Sequence, residues 1–443
     1  MNAKSIKSTK ILFIVFIIMG LMSFPSCTEN DYLTEEELPA EVLAENLRDI
    51  TASDLETMID ILKESGVDPE TLEKLNIYAS ESDDNNSSLR SSTSLANILV
   101  KAIKVSTKIK NPDGSGRDVT ISGILLVPRI SLFPLRIVVA SVGTYGKNED
   151  APSNMFKTLS LERDNGKINY LYYFTLQATQ GFAILFPDYL GYGDSFGDAT
   201  LPLLVKEPLV NSTIDLVKAA QETLKKNKYS YKKELILAGY SLGAYVSTSL
   251  YQKLENDANM PVKLTIAGGT PLDLNDIINR ARSESTLASP FMYPYLLSAY
   301  NIYEKQPFSI SDLLKVPYGD LTYIRKAING TRSVDEINEF FTDNVSDLFT
   351  DEVIKGFDKD PKFNNIRSIL DKNSLKPWKN KTRLALIHGM KDDLIFYEST
   401  YNFYKEQKKL NGNITFTPVI AADHVSTALA FYIETSALLL MYK

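Results

Sequence analysis

The feature of this 443-residue chain that most restricts its fold is a series of short β-type runs. They lie at residues 121–127, 137–140, 182–186, 235–238, 264–267, 384–387 and 416–420, and segments with helical spacing of apolar residues separate them. Runs this short and apolar are buried on both faces, which requires a largely parallel sheet whose crossovers are helices. The expected fold class is therefore α/β, a mostly parallel central sheet with helices on both faces. No internal repeat recurs at a fixed period. The length allows two or three domains, or one large domain carrying an insertion. Hydrophobic residues at 44% and charged residues at 23% are ordinary for a folded chain, which argues against wholesale disorder and against a polytopic membrane protein.

Charge and rare residues narrow the function classes. With 48 Lys+Arg against 55 Asp+Glu the net charge is -7, and no long basic run occurs outside the extreme N-terminus, so no nucleic-acid partner is expected. One cysteine forbids an intramolecular disulfide, and one cysteine with two histidines leaves no Cys/His zinc cluster, although an all-oxygen Ca²⁺ site stays open. No metal and no cofactor are expected.

At the N-terminus Lys4, Lys7 and Lys10 precede an apolar stretch over 11–22, followed by Ser26 and the single cysteine, Cys27. A basic flank and an apolar core too short to span a bilayer read as an export signal. The segment resembles a bacterial lipoprotein signal peptide (1–26), which implies cleavage and lipidation of Cys27. Phe24 and Pro25 depart from the stricter form of that motif, and an uncleaved signal anchor with an incidental cysteine is the alternative. Loss of the three lysines takes the net charge from -7 to -10. Glu29, Asp31, Glu35, Glu36 and Glu37 resemble the acidic export signal of some Bacteroidetes lipoproteins, which implies anchoring to the outer membrane, on its periplasmic or surface face. Residues 27–94 read as an acidic helical segment and a linker. Residues 40–77 carry a helical pattern, with Ser53 and Glu56 as a capping box, Leu55, Ile59 and Leu62 on one face, and Gly66 as its end. Residues 80–94 are Ser/Asn-rich and nearly free of apolar side chains.

The main domain, 95–443, contains Gly239-Tyr240-Ser241-Leu242-Gly243 between the run at 235–238 and a helical stretch. This G-x-S-x-G pattern in a strand-to-helix context is a nucleophile elbow, whose turn lifts the serine hydroxyl above the sheet. Serine needs a base to take its proton, and the chain offers only His388 and His424. Both fall at the ends of predicted strands.

His388-Gly389-Met390-Lys391-Asp392-Asp393-Leu394-Ile395 resembles the H-G-x-x-D-x-x-V segment of the α/β-hydrolases. The resemblance implies that Asp392 is the triad acid and His388 structural, with Asp393 and Asp423 as competitors for the acid role. His424, before an apolar C-terminal helix, lies where that family has its catalytic histidine, and the order Ser241, Asp392, His424 is the order of the fold. The oxyanion donors would be the backbone N–H of Leu242 and one from Ser141-Val142-Gly143-Thr144-Tyr145-Gly146, with Thr144 preferred and Gly143 its competitor. That loop resembles the family's H-G-T form, with Val142 where histidine is usual. Residues 181–197 (GFAILFPDYLGYGDSFG) resemble the corresponding strand and loop of the secretory lipases, in which Asp188 is structural. The fold implied is an α/β-hydrolase.

Between Ser241 and Asp392 lie about twice the residues that one strand and two helices need. Residues 272–377 are therefore expected as a helical cap insertion over the site. The cap carries Phe291, Met292, Tyr293, Tyr295, Leu296, Leu297 and Tyr300, which either line an acyl pocket or pack onto the core. The expectation is a lipid-anchored serine esterase or lipase acting on a small-molecule or lipid-like ester. A peptidase of the same fold and a non-catalytic surface-anchored binding lipoprotein are its rivals.

Overall fold

The computed structural model describes residues 42–64, 67, 98–158, 170–305 and 307–442. The expected signal peptide, Cys27, the acidic cluster behind it, Gly66 and the linker at 80–94 lie outside these residues. Nine strands form one sheet in the order β1-β2-β3-β5-β4-β6-β7-β8-β9. They are β1 (Val42–Thr51), β2 (Ile98–Lys110), β3 (Asp118–Pro128), β4 (Leu135–Ser141), β5 (Phe182–Pro187), β6 (Tyr231–Tyr240), β7 (Val262–Gly268), β8 (Arg383–Gly389) and β9 (Ile414–Val419). From β5 through β4 to β9 every neighbouring pair is parallel, and β1, β2 and β3 add an antiparallel edge. The protein thus has the α/β-hydrolase architecture.

The central strands form where every side chain can be buried. All residues of β4 and β5 are buried, as their largely apolar sequences LRIVVAS and FAILFP favour. Arg136 is the charged residue there, and its guanidinium meets Glu234 at 2.8 Å. The helices outside the insertion are α1 (Ala52–Glu64), α2 (Pro152–Thr158), α3 (Tyr170–Thr179), α4 (Lys206–Lys226) and α5 (Leu242–Leu254) before it. After the insertion come α13 (Tyr397–Lys409) and α14 (His424–Met441). Helices α4 and α5 pack together on the sheet, as do α3 and α14. Among the described residues α14 is the one helix long and apolar enough to cross a membrane. Its Phe431, Leu438 and Leu439 are buried, and it packs on β7 and β8.

One strand departs from the sequence expectation. Residues 42–51 are not helical: they pair antiparallel with β2, Val42 opposite Thr107 and Thr51 opposite Ile98. Only Ile50 in β1 is buried, so this edge strand leaves almost no apolar periodicity to read, and its partner lies about fifty residues ahead. The helix starts later, at Ala52, and buries Leu55, Met58, Ile59 and Leu62. Its N-terminus is held by Thr51 and Asp54 instead of Ser53 and Glu56: Asp54 accepts the Thr51 N–H at 2.8 Å, and the Thr51 hydroxyl accepts the Asp54 N–H at 3.2 Å.

Between β7 and β8 the chain makes a helical excursion, from α6 (Leu274–Ala281) and α7 (Met292–Tyr303) through α8 (Leu321–Ala327), α9 (Val334–Asn338), α10 (Val345–Leu348) and α11 (Asp351–Gly356) to α12 (Asn364–Asn373). It touches the loops that leave β4 and β5. Lys147 bridges to Thr331 and approaches Glu336 at 3.4 Å, and the Tyr192 and Tyr295 hydroxyls are 3.5 Å apart.

Candidate active site

The carboxyl ends of the parallel strands collect the residues singled out in the sequence, as open α/β sheets do. Ser241 follows β6 and opens α5, with φ 55° and ψ -120°. A side chain at positive φ is strained, and here that strain aims the hydroxyl off the sheet. The turn is possible because two neighbours lack a Cβ. On Gly239 a Cβ would stand 2.1 Å from the Gly243 carbonyl oxygen, and on Gly243 one would stand 2.0 Å from the Ser141 carbonyl oxygen at the end of β4. Gly243→Ala is accordingly expected to lower stability by about 3 kcal/mol, since backbone must move to admit the methyl. An unchanged urea midpoint would show that the turn is not tightly packed.

The three candidate catalytic side chains meet. His424, the first residue of α14, places Nε2 3.0 Å from Ser241 Oγ and Nδ1 2.7 Å from Asp392 Oδ2. Asp392, buried after β8, accepts the N–H groups of Leu394 and Ile395 on Oδ1 at 3.1 and 2.7 Å. Burial by itself would push its carboxyl up, but hydrogen bonds from His388 and His424 outweigh that and hold it well below the usual carboxylate range. The competing acids stand elsewhere. Asp393 is exposed, and Asp423 caps α14 by accepting the Ser426 N–H at 2.8 Å.

Around Ser241 the other expected parts are close. Leu242 is the first residue of α5, so its N–H has no acceptor within the helix. A Cβ on Gly143 would lie 3.9 Å from Ser241 Cβ, so the loop holding Gly143 and Thr144 faces the serine. Val142 buries its side chain, and its carbonyl accepts the Tyr189 hydroxyl. Asp188 accepts the Ser122 and Ser153 hydroxyls at 2.5 and 2.6 Å and the Ser153 N–H at 2.9 Å. It thereby ties the loop after β5 to β3 and α2, and burial pushes its carboxyl up.

Tyr240 was not legible as a site residue, because it fills the variable position of the elbow. Its hydroxyl donates to the His424 carbonyl, and its ring centroid is 5.2 Å from the imidazole. In the helical excursion between β7 and β8, Phe291, Tyr293, Tyr295, Leu296, Leu297 and Tyr300 are all buried. Tyr293 packs on Phe349, and the Tyr300 hydroxyl donates to the Leu204 carbonyl at 3.3 Å. Tyr295 also lines a cavity of about 270 Å³ with Tyr192, Phe196, Leu201, Arg325 and Ile328. Among the described residues no group of three or more His, Cys, Asp or Glu side chains is placed to hold a metal ion.

No protein-family profile and no curated protein matches the sequence. Solved structures do. A provisionally assigned hydrolase of Legionella pneumophila is similar with a TM-score of 0.68 and 20% identity, over 92% of this chain and 98% of that one. The rice cell wall degrading esterase LipA of Xanthomonas oryzae is similar with a TM-score of 0.68 and 16% identity, over 90% of this chain and 96% of that one. Candida antarctica lipase A is similar with a TM-score of 0.54 and 17% identity, over 76% of this chain and 78% of that one. At such identities the likeness is one of fold, and the fold is that of the α/β-hydrolases.

Proposed function

We propose that the protein is a serine hydrolase that cleaves carboxylic esters through an acyl-enzyme intermediate, held to the cell envelope by a lipid on Cys27. The observation that carries the reading is the unbroken contact from Ser241 Oγ through His424 to Asp392, built on a serine at positive φ. Ser241 attacks the ester carbonyl as His424 Nε2 takes its proton, and the same proton passes to the departing alcohol. Water then repeats the sequence to release the acid. Asp392 fixes the proton of His424 on Nδ1, so Nε2 is free to accept. The N–H groups of Leu242 and Thr144, or of Gly143 in its place, face the developing oxyanion. The names of two structural neighbours, an esterase and a lipase, are consistent with an ester substrate.

The test is labelling by a fluorophosphonate probe together with turnover of acetyl, butyryl and octanoyl esters of one alcohol. We expect labelling at Ser241 and turnover that favours acetyl over octanoyl by about tenfold, because most of the cap's apolar side chains are already buried and contribute little to binding further CH₂ groups. Absence of labelling and of turnover would defeat the enzymatic reading. Turnover that climbs to octanoyl would restore the acyl-pocket alternative.

For the anchor, Cys27→Ala is expected to move the protein from the membrane pellet to the soluble fraction, or to leave it unprocessed. The motivation is the position of the only cysteine just behind the apolar signal segment. A wild-type protein that floats free of lipid in a sucrose gradient would rule the anchor out.

A further inference from the structure

The second histidine, His388, is the next-to-last residue of β8, and its side chain is fully buried. Its Nε2 lies 2.7 Å from the Ile395 carbonyl oxygen and 3.2 Å from Asp392 Oδ2. Among the described residues its Nδ1 has no partner. The Tyr397 ring packs against it edge-on at 6.2 Å. A carbonyl and a carboxylate can only accept, so two acceptors at one nitrogen require that nitrogen to carry the hydrogen. A hydrogen on Nδ1 would instead be a buried donor with nothing to receive it. The surroundings therefore select the Nε2–H tautomer.

That single N–H bonds one group that matters and lies beside another. The Ile395 carbonyl belongs to the residue whose N–H binds Asp392 Oδ1, so His388 ties the turn at 392–395 back to β8. Asp392 Oδ2 is the same oxygen that receives His424 Nδ1–H. The carboxylate is thus held by backbone on one oxygen and by His424 on the other, with the His388 Nε2–H 3.2 Å from that second oxygen. We propose that His388 is a positioning residue: its Nε2–H fixes the plane of the Asp392 carboxylate so that Oδ2 is aimed at His424. The proposal rests on the acid and base roles given above to Asp392 and His424.

Two substitutions separate positioning from simple filling of space. His388→Gln puts an amide nitrogen where Nε2 stood and keeps the donor, whereas His388→Leu keeps apolar bulk and removes it. In the full chain we expect His388→Gln to retain kcat on p-nitrophenyl acetate within about threefold, and His388→Leu to lose about 10- to 100-fold in kcat with KM unchanged. Should His388→Leu not fold, His388→Asn, whose nitrogen falls at the Nδ1 position, replaces it as the variant lacking the donor.

With only two histidines in the chain, ¹⁵N-histidine labelling gives a readout free of turnover. The signals lost in His388→Gln must show hydrogen on Nε2 and none on Nδ1. The His424 Nδ1–H resonance should hold its position in His388→Gln and move in His388→Leu. A proton on Nδ1 of His388, wild-type kcat in His388→Leu, or His388→Gln as slow as His388→Leu would each overturn the proposal. A wild-type protein that turns over no ester would defeat the functional reading instead, and the resonances would still decide the role of His388.

Discussion

Ser241→Ala is expected to lower kcat for ester hydrolysis by about 10⁴-fold or more while leaving the melting temperature within about 2 °C. The change removes one oxygen, and with it the atom that forms the acyl-enzyme bond on the proposed reading. Little else depends on that oxygen: its described partner is His424 Nε2 at 3.0 Å, and the turn is fixed through the backbone, with the Ser241 N–H on the Gly268 carbonyl at 2.8 Å. KM should stay within a few-fold, because the helical excursion between β7 and β8 and the loop holding Gly143 and Thr144 are untouched. Steady-state kinetics beside a thermal melt decides it. Retained turnover would mean that the chemistry lies elsewhere on the molecule.

Asp392→Asn is expected to cost about 10³- to 10⁴-fold in kcat with modest change in KM. The direction follows from where the new amide must point. Oδ1 receives two backbone N–H groups, so the oxygen of asparagine has to stay there and the NH₂ group takes the place of Oδ2. It then donates to His424 Nδ1, forcing the imidazole proton onto Nε2, where it can no longer accept from Ser241. The same side chain also carries a pH signature. The Asp392 pKa is depressed in the folded state, so its contribution to stability is present above about pH 4, the unfolded carboxylate value, and is lost as the pH falls from there toward the folded one. Urea midpoints measured from pH 7 down to pH 3 should therefore fall less steeply in Asp392→Asn than in the wild type. Equal slopes would show that the depression is not coupled to folding.

Much of this arrangement could be read before any coordinates. The strands at the centre of the sheet announce themselves because both faces are buried, as in the FAILFP of β5, and the elbow does so because glycines must stand on either side of Ser241. The edge was harder. In β2, Lys101, Lys104, Lys108 and Lys110 interrupt the apolar side chains, and in β1 the pairing with β2 decides the conformation against a local pattern that favours helix. Within the site, identity of residue types was legible and contact was not. Tyr240 and His388 act through single hydrogen bonds to groups far away in sequence or around a turn, and no periodicity or spacing encodes such a bond.

The position of His424 on α14 sets an order in time. It lies 183 residues beyond Ser241, with the whole helical excursion between them. At a synthesis rate of about 5 to 20 residues per second, roughly 10 to 40 s pass between the emergence of the serine and that of its proposed base. Even then α14 must dock on β7 and β8 before the imidazole reaches the hydroxyl. A nascent chain thus carries a serine that nothing can deprotonate. On the proposed reading, the activity switches on as the closing event of folding, so a half-made or half-exported polypeptide has no means to attack the esters of the compartment that makes it.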